Sequence, residues 1–182
     1  MARLVGVVGS RSLPVSFSPL VASVVSLFLS QGFGVASGGA LGADSFALSA
    51  LLQLHGACPE RAIASRGVVF SAWSSPLGFP ASVRPLAAQL AGQGGRLLWG
   101  AASPGAPRSR VVSALLGRNQ RLVSACSVLV AFLFGPSRGS LYTVRQAVSR
   151  GVPVIVFLCG GGAVLPPDLA SRCFIFNSKG VI

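Results

Sequence analysis

Three short segments carry the residues best suited to chemistry, and each has the composition of a site that holds anions. Gly9-Ser10-Arg11 follows an apolar run over residues 4–8. Its glycine lets the backbone turn without a side chain in the way, Ser10 offers a hydroxyl, and Arg11 offers a cationic fork. Ser37-Gly38-Gly39-Ala40-Leu41-Gly42-Ala43-Asp44 stands between a strand-like run and a helical pattern. Glycines at 38, 39 and 42 permit positive φ and close approach of a ligand. The helix behind them presents unpaired N–H groups, so the segment reads as a phosphate cradle. It is neither a G-x-G-x-x-G fingerprint nor a P-loop, and ATP hydrolysis is not implied. Asp44 can cap the helix or accept a hydrogen bond from a ribose or base edge. In Gly135-Pro136-Ser137-Arg138-Gly139-Ser140-Leu141-Tyr142-Thr143, Gly139 and Ser140 are expected to cap a helix, with Arg138 facing an anion and Thr143 one turn inside. Upstream, Arg118, Asn119 and Arg121 lie within a helical pattern, the two arginines a turn apart. Asn119 is a poor mid-helix residue, which points to a role at the same pocket rather than on a solvated face.

Charge narrows the chemistry further. The 182 residues hold 15 Lys plus Arg against 3 Asp plus Glu, a formal charge of +12, and all but Lys179 of the cations are arginine. Arginine pairs with phosphate in a bidentate way and stays charged when partly buried, so an anionic partner is the leading inference. With Asp44, Glu60 and Asp168 the only carboxylates, hydrolysis by paired acids and a Mg²⁺ or Ca²⁺ cage are short of parts. His55 ends a helical pattern far from the glycine segments. Cys58, Cys126, Cys159 and Cys173 show no CxxC pair or zinc spacing and read as buried free thiols in a reducing cytosol. No metal or other cofactor is called for.

The elements that must position these segments alternate. Strands are predicted over 4–8, 34–36, 67–72, 96–99, 128–133 and 152–158, with an edge strand over 174–176. Helices are predicted over 19–31, 43–55, 83–92, 110–126 and 141–150. The runs at 128–133 and 152–158 are continuously apolar, as strands covered on both faces must be. The apolar stretch over 20–29 is too short to span a membrane. Ser23, Ser26 and Ser30 share one face of it, and Leu20, Val21, Val24, Val25 and Phe28 make the other. The expected fold is α/β: one three-layer, Rossmann-like parallel sheet over residues 1–182 with helices on both faces. Its carboxyl edge is where ligands bind.

In this order the segments, with Phe79-Pro80 and residues 94–98, resemble the Rossmann core of the DprA/Smf DNA-processing proteins of the SLOG superfamily. The resemblance runs from about residue 3 to 158. It implies a cytoplasmic, single-stranded DNA-binding protein, commonly dimeric and able to load a RecA-type recombinase. It also implies that Arg11 and the loop at 37–42 hold DNA phosphates. The N-terminal helical domain and C-terminal winged helix of many DprA proteins are not expected here, nor is the acidic residue that follows the strand at 97–99, where Gly100 and Ala101 stand. Gly42-Ala43-Asp44, Trp73 and Ser137-Arg138-Gly139 also resemble the YspA-like branch, whose members look like nucleotide-ligand sensors. The cytokinin-activating phosphoribohydrolases are similar too, but their glutamate is replaced by the stretch Leu141, Tyr142, Thr143. The expected phosphate-binding residues are therefore Gly9, Ser10, Arg11, Ser37, Gly38, Gly39, Gly42, Arg118, Asn119, Arg121, Arg138, Gly139, Ser140 and Thr143. Asp44 is expected to contact a ribose or base, and no residue is expected to be catalytic. A small-nucleotide sensor is the alternative, and an N-glycosidic hydrolase the third reading.

Overall fold

A computed structural model of the protein describes residues 3–177 and 180–181, so Lys179 lies outside them. The chain alternates β1 (Leu4–Gly9), α1 (Ser18–Ser30), β2 (Gly34–Ser37), α2 (Ala43–Ala57), β3 (Gly67–Phe70), α3 (Arg84–Gly92), β4 (Arg96–Leu98) and α4 (Arg108–Ala125). It continues with β5 (Val128–Leu133), α5 (Arg138–Ser149), β6 (Val154–Leu158), α6 (Pro167–Ala170), β7 (Phe174–Asn177) and β8 (Gly180–Val181). The sheet order is β4-β3-β2-β1-β5-β6-β7-β8, parallel except for the final β7–β8 pair.

Strand alternation splits the core into two layers. Val5, Val7, Val130 and Phe132 meet Val21 and Val25 of α1, Leu51 of α2 and Leu90 of α3. Val8, Leu129, Ala131 and Leu133 meet Leu122 and Val123 of α4 and Val144, Ala147 and Val148 of α5. Each such Val or Leu contributes about 1.5–3 kcal/mol on burial. The expected three-layer arrangement follows. Gly6 sets the position of α4: a Cβ there would stand 2.9 Å from both Leu122 and Cys126, so α4 lies directly on β1. Arg118 and Asn119 are thereby carried one turn further along, over the end of that strand.

The chain builds outward from β1 to β4 and crosses back through α4 to enter β5 on the other side of β1. Loops leaving β1 and β5 diverge at that reversal and open a crevice at the carboxyl edge.

Several boundaries differ from expectation for local reasons. β3 stops at Phe70 and the chain leaves the ladder, with Trp73 forming an isolated bridge to Ala102. β6 starts at Val154 because the Val152 N–H closes back onto the Ala147 carbonyl and Pro153 has no N–H to donate. Among the described residues the cysteines form no disulfide; Cys126 and Cys159 are buried, whereas Cys58 and Cys173 are only half-buried, contrary to expectation. Burial pushes the Cys126 thiol up to about 12. Among the same residues, no helix is long and apolar enough to cross a membrane.

Candidate functional site

A cavity of about 470 Å³ occupies the crevice, a size that suits a nucleotide-sized group. Its walls come from the exit of β1 (Val8 to Ser12), Ala40 and Asp44, one face of α4, and Pro136 to Thr143 at the entry to α5.

The polar wall begins where β1 is knitted to β5. The Ser10 N–H donates to the Phe132 carbonyl and Ser10 Oγ accepts from the Phe134 N–H, both at 2.9 Å. Ser10 therefore holds the two diverging loops together. Gly9 and Gly42 make the junction possible. A Cβ on Gly9 would come within 2.4 Å of the Phe132 carbonyl. Gly42 has φ +73°, and a Cβ there would come within 2.2 Å of the Ser10 carbonyl. α2 thus starts against the exit of β1 and leaves Arg11 exposed at the mouth.

Beneath the mouth lies a buried ion pair. Asp44, in the first turn of α2, does not cap that helix. Its Oδ2 accepts the loop N–H groups of Gly38 (2.9 Å) and Ala40 (3.3 Å) and faces Arg118 Nη1 at 3.5 Å. Gly38 admits this arrangement, since a Cβ on it would stand 1.4 Å from Arg118 Nη1. The Arg118 side chain is 9% exposed, and its buried Nε–H has no acceptor. Burial pushes the Asp44 carboxyl above its ordinary range, against the pull of Arg118 and the two loop N–H groups. Burial likewise lowers Arg118, with Asp44 opposing and the nearby Arg11 and Arg121 charges adding to the drop. Arg118 is thus left under-compensated beside the cavity.

The entry to α5 corrects one expectation. The helix begins at Arg138, so Gly139 and Ser140 sit in its first turn instead of capping it. Ser137 Oγ, at the cap position, donates to Ser140 Oγ (2.8 Å) rather than bonding the backbone. Neither α2 nor α5 has a side-chain cap. The first turn of α5 borders the cavity through Gly139 and Ser140, whereas α2 reaches it only through Asp44. Thr143 Oγ1 donates to the Gly139 carbonyl (3.0 Å).

Of the expected residues, Gly9, Ser10, Arg11, Asp44, Arg118, Asn119, Gly139, Ser140 and Thr143 line this cavity. Ser37, Gly38, Gly39 and Gly42 support it from behind without entering the wall. The cradle reading of that loop is narrowed, because two of its N–H groups already serve Asp44. Arg138 is exposed on the first turn of α5, outside the wall. Arg121 turns to the other side of α4, where its guanidinium donates to the Ser71 carbonyl (2.6 Å) and the Trp99 carbonyl (3.1 Å). Sequence reasoning missed the apolar wall of Val112, Leu115 and Leu116. With Asn119 these follow i, i+3, i+4, i+7 spacing along α4, a pattern that looks like core. Val112 is nevertheless 46% and Leu116 36% exposed. Among the described residues no three His, Cys, Asp or Glu side chains gather as a metal site would require.

A model of the DNA recombination-mediator protein A family matches residues 1–173. The chain belongs to that family. No curated protein matches the sequence. Among solved structures it is similar to DNA processing protein A of Helicobacter pylori, described for its single-stranded DNA binding mode. The TM-score is 0.67 and the identity 18%, over 86% of this chain and 65% of that one. It is similar to DNA processing protein A of Streptococcus pneumoniae at TM-score 0.63 and 20% identity, over 95% and 54%. A molybdenum cofactor binding protein from Rippkaea orientalis shares the fold at TM-score 0.62 and 14% identity, over 97% and 90%. The chain thus spans between about half and two thirds of the length of its two DNA-processing neighbours, and at these identities they establish the fold.

Proposed function

We propose that this family member binds single-stranded DNA, gripping backbone phosphates at the β1/β5 crevice without cutting or modifying the strand. The observation that carries the reading is Arg118. It is a nearly buried guanidinium beside a cavity, with one N–H unpartnered and its counter-charge, Asp44, already shared with two backbone donors. A phosphate oxygen there receives the Nε–H, while Arg11 closes on the strand from the mouth and the first turn of α5 donates from the opposite wall. Arg138 meets the strand where it leaves the cavity. The scarcity of carboxylates keeps repulsion low: Glu60 is exposed on a distant turn, and Asp168 lies on α6 beside Arg145. The resemblance to DprA proteins adds a cytoplasmic setting, a homodimer and hand-over to a RecA-type recombinase as parts of the same proposal.

The cavity volume favours one second reading, a sensor for a free nucleotide. Titration of labelled oligo-dT across a salt series separates the two. DNA binding falls steeply with salt as counterions are released, and Arg11→Ala and Arg138→Ala each reduce the slope by roughly one. Absence of binding at low salt, or binding untouched by either substitution, refutes the DNA reading. A sensor instead shows weak salt dependence and a large melting-temperature rise with one mononucleotide.

A further inference from the structure

A second groove runs along the far side of α4, between that helix and edge strand β4, with a volume of about 1,170 Å³. Trp99 and Leu98 line one side. Arg121, Arg150 and Arg118 line the other, with Gly117 and Ala114 leaving width between them. Arg118 also borders the crevice cavity, so the two depressions share that residue. No carboxylate lines this groove.

Trp99 is held as a platform. Its ring packs on buried Phe79 at 5.7 Å between centroids and 45° between planes, its carbonyl is fixed by Arg121, and the residue remains 38% exposed. Arg150 is tied to the Gln120 carbonyl and Ser124 Oγ, which orders its positive charge at the lower end of the groove. A flat aromatic wall facing a row of arginines suits stacked bases on one side and a phosphodiester chain on the other. An acidic peptide would not use the aromatic face in this way.

We infer that the groove is a second track for single-stranded DNA, taking nucleotides beyond those in the crevice, with a base stacked on Trp99 and phosphates following Arg121 and Arg150. This rests on the DNA reading of the crevice and extends it across α4. It explains why Arg121 stands outside the cavity, on the other side of α4.

The test uses intrinsic fluorescence in a Trp73→Phe background, which leaves Trp99 as the only tryptophan, titrated with oligo-dT of about 4 and about 16 nucleotides. The long oligonucleotide quenches Trp99 and the short one does not. In the wild-type background Trp99→Ala weakens the long oligonucleotide about fivefold to about a hundredfold and leaves the short one unchanged. Arg150→Ala, on the surface, gives a second reading by lowering the salt slope for the long oligonucleotide alone. If both lengths bind equally tightly without quenching Trp99, the second track is refuted and the crevice reading stands. If neither length binds, both readings fall.

Discussion

Replacing Asp44 by Ala removes the carboxylate paired with Arg118 and the acceptor of the Gly38 and Ala40 N–H groups. The guanidinium is nine-tenths buried, so water does not take the place of the lost partner. Breaking a buried pair from one side costs about 3–5 kcal/mol. That is a large share of the roughly 5–15 kcal/mol that holds a domain together. For a chain of this length each kcal/mol moves the midpoint about 2–4 °C, giving a fall of about 6–20 °C. Asp44→Asn keeps an acceptor oxygen toward the loop and loses less. The double variant Asp44→Ala with Arg118→Leu is less damaging than the sum of its parts, because the orphaned charge has gone. Thermal and urea melts followed by circular dichroism measure all of these. Oligo-dT adds a diagnostic: phosphate supplies the charge that Asp44 no longer provides, so Asp44→Ala gains more stability from a saturating oligonucleotide than wild type does. A loss under about 1 kcal/mol in Asp44→Ala, or strict additivity in the double variant, refutes the view of Arg118 as an under-compensated buried cation.

Gly38→Ala places a Cβ where Arg118 Nη1 now lies, so oligo-dT affinity in a fluorescence-anisotropy titration falls about tenfold to a hundredfold, the value of a charged hydrogen bond. Gly42→Ala combines φ +73° with overlap against the Ser10 carbonyl and costs more than about 1–3 kcal/mol in urea denaturation. Gly139→Ala meets no neighbour within 4 Å; it strengthens α5 by about 0.5–1 kcal/mol in the same melts, and its methyl in the cavity wall weakens DNA binding. Native Asp44 holds its proton to a higher pH than the unfolded chain does, so the pH-dependent part of its contribution is greatest at low pH and falls as pH rises through the native titration, above which the ion pair with Arg118 remains; Asp44→Asn removes that slope. Protonation also lifts a negative charge from the cavity, so oligo-dT binds more tightly as pH falls through that window, and Asp44→Asn flattens the pH profile.

What was legible in the sequence was set by periodicity and by glycine. The runs at 128–133 and 154–158 are apolar throughout because helices cover both faces, and that pattern survives without any contact information. The three glycine segments announced the carboxyl edge for a similar reason, since turning a strand sharply into a helix leaves room for little else. Features set by distant partners were not legible. Asp44 looked like a cap because its true partner, Arg118, lies 74 residues along the chain. Arg118 and Arg121 looked like one face, yet a three-residue step turns a helix by about 300°, enough to send them to opposite sides of a ridge. α5 was placed three residues late because its first turn, Arg138 to Ser140, is polar and carries no apolar period. The exposed apolar wall of α4 had core spacing, and only the crevice beneath it distinguishes the two.

If DNA phosphate is held in the crevice, the Arg118 Nε–H changes from a buried donor without an acceptor into a charge-assisted hydrogen bond. Heteronuclear NMR of the arginine side chains during titration with oligo-dT observes that group directly. Phosphate binding in the crevice predicts that the Arg118 Nε–H signal moves and becomes protected from exchange in step with saturation, and that in the weaker-binding Arg11→Ala variant the same change follows at correspondingly higher oligo-dT concentration. Saturable binding that leaves the Arg118 Nε–H signal where it was would contradict it.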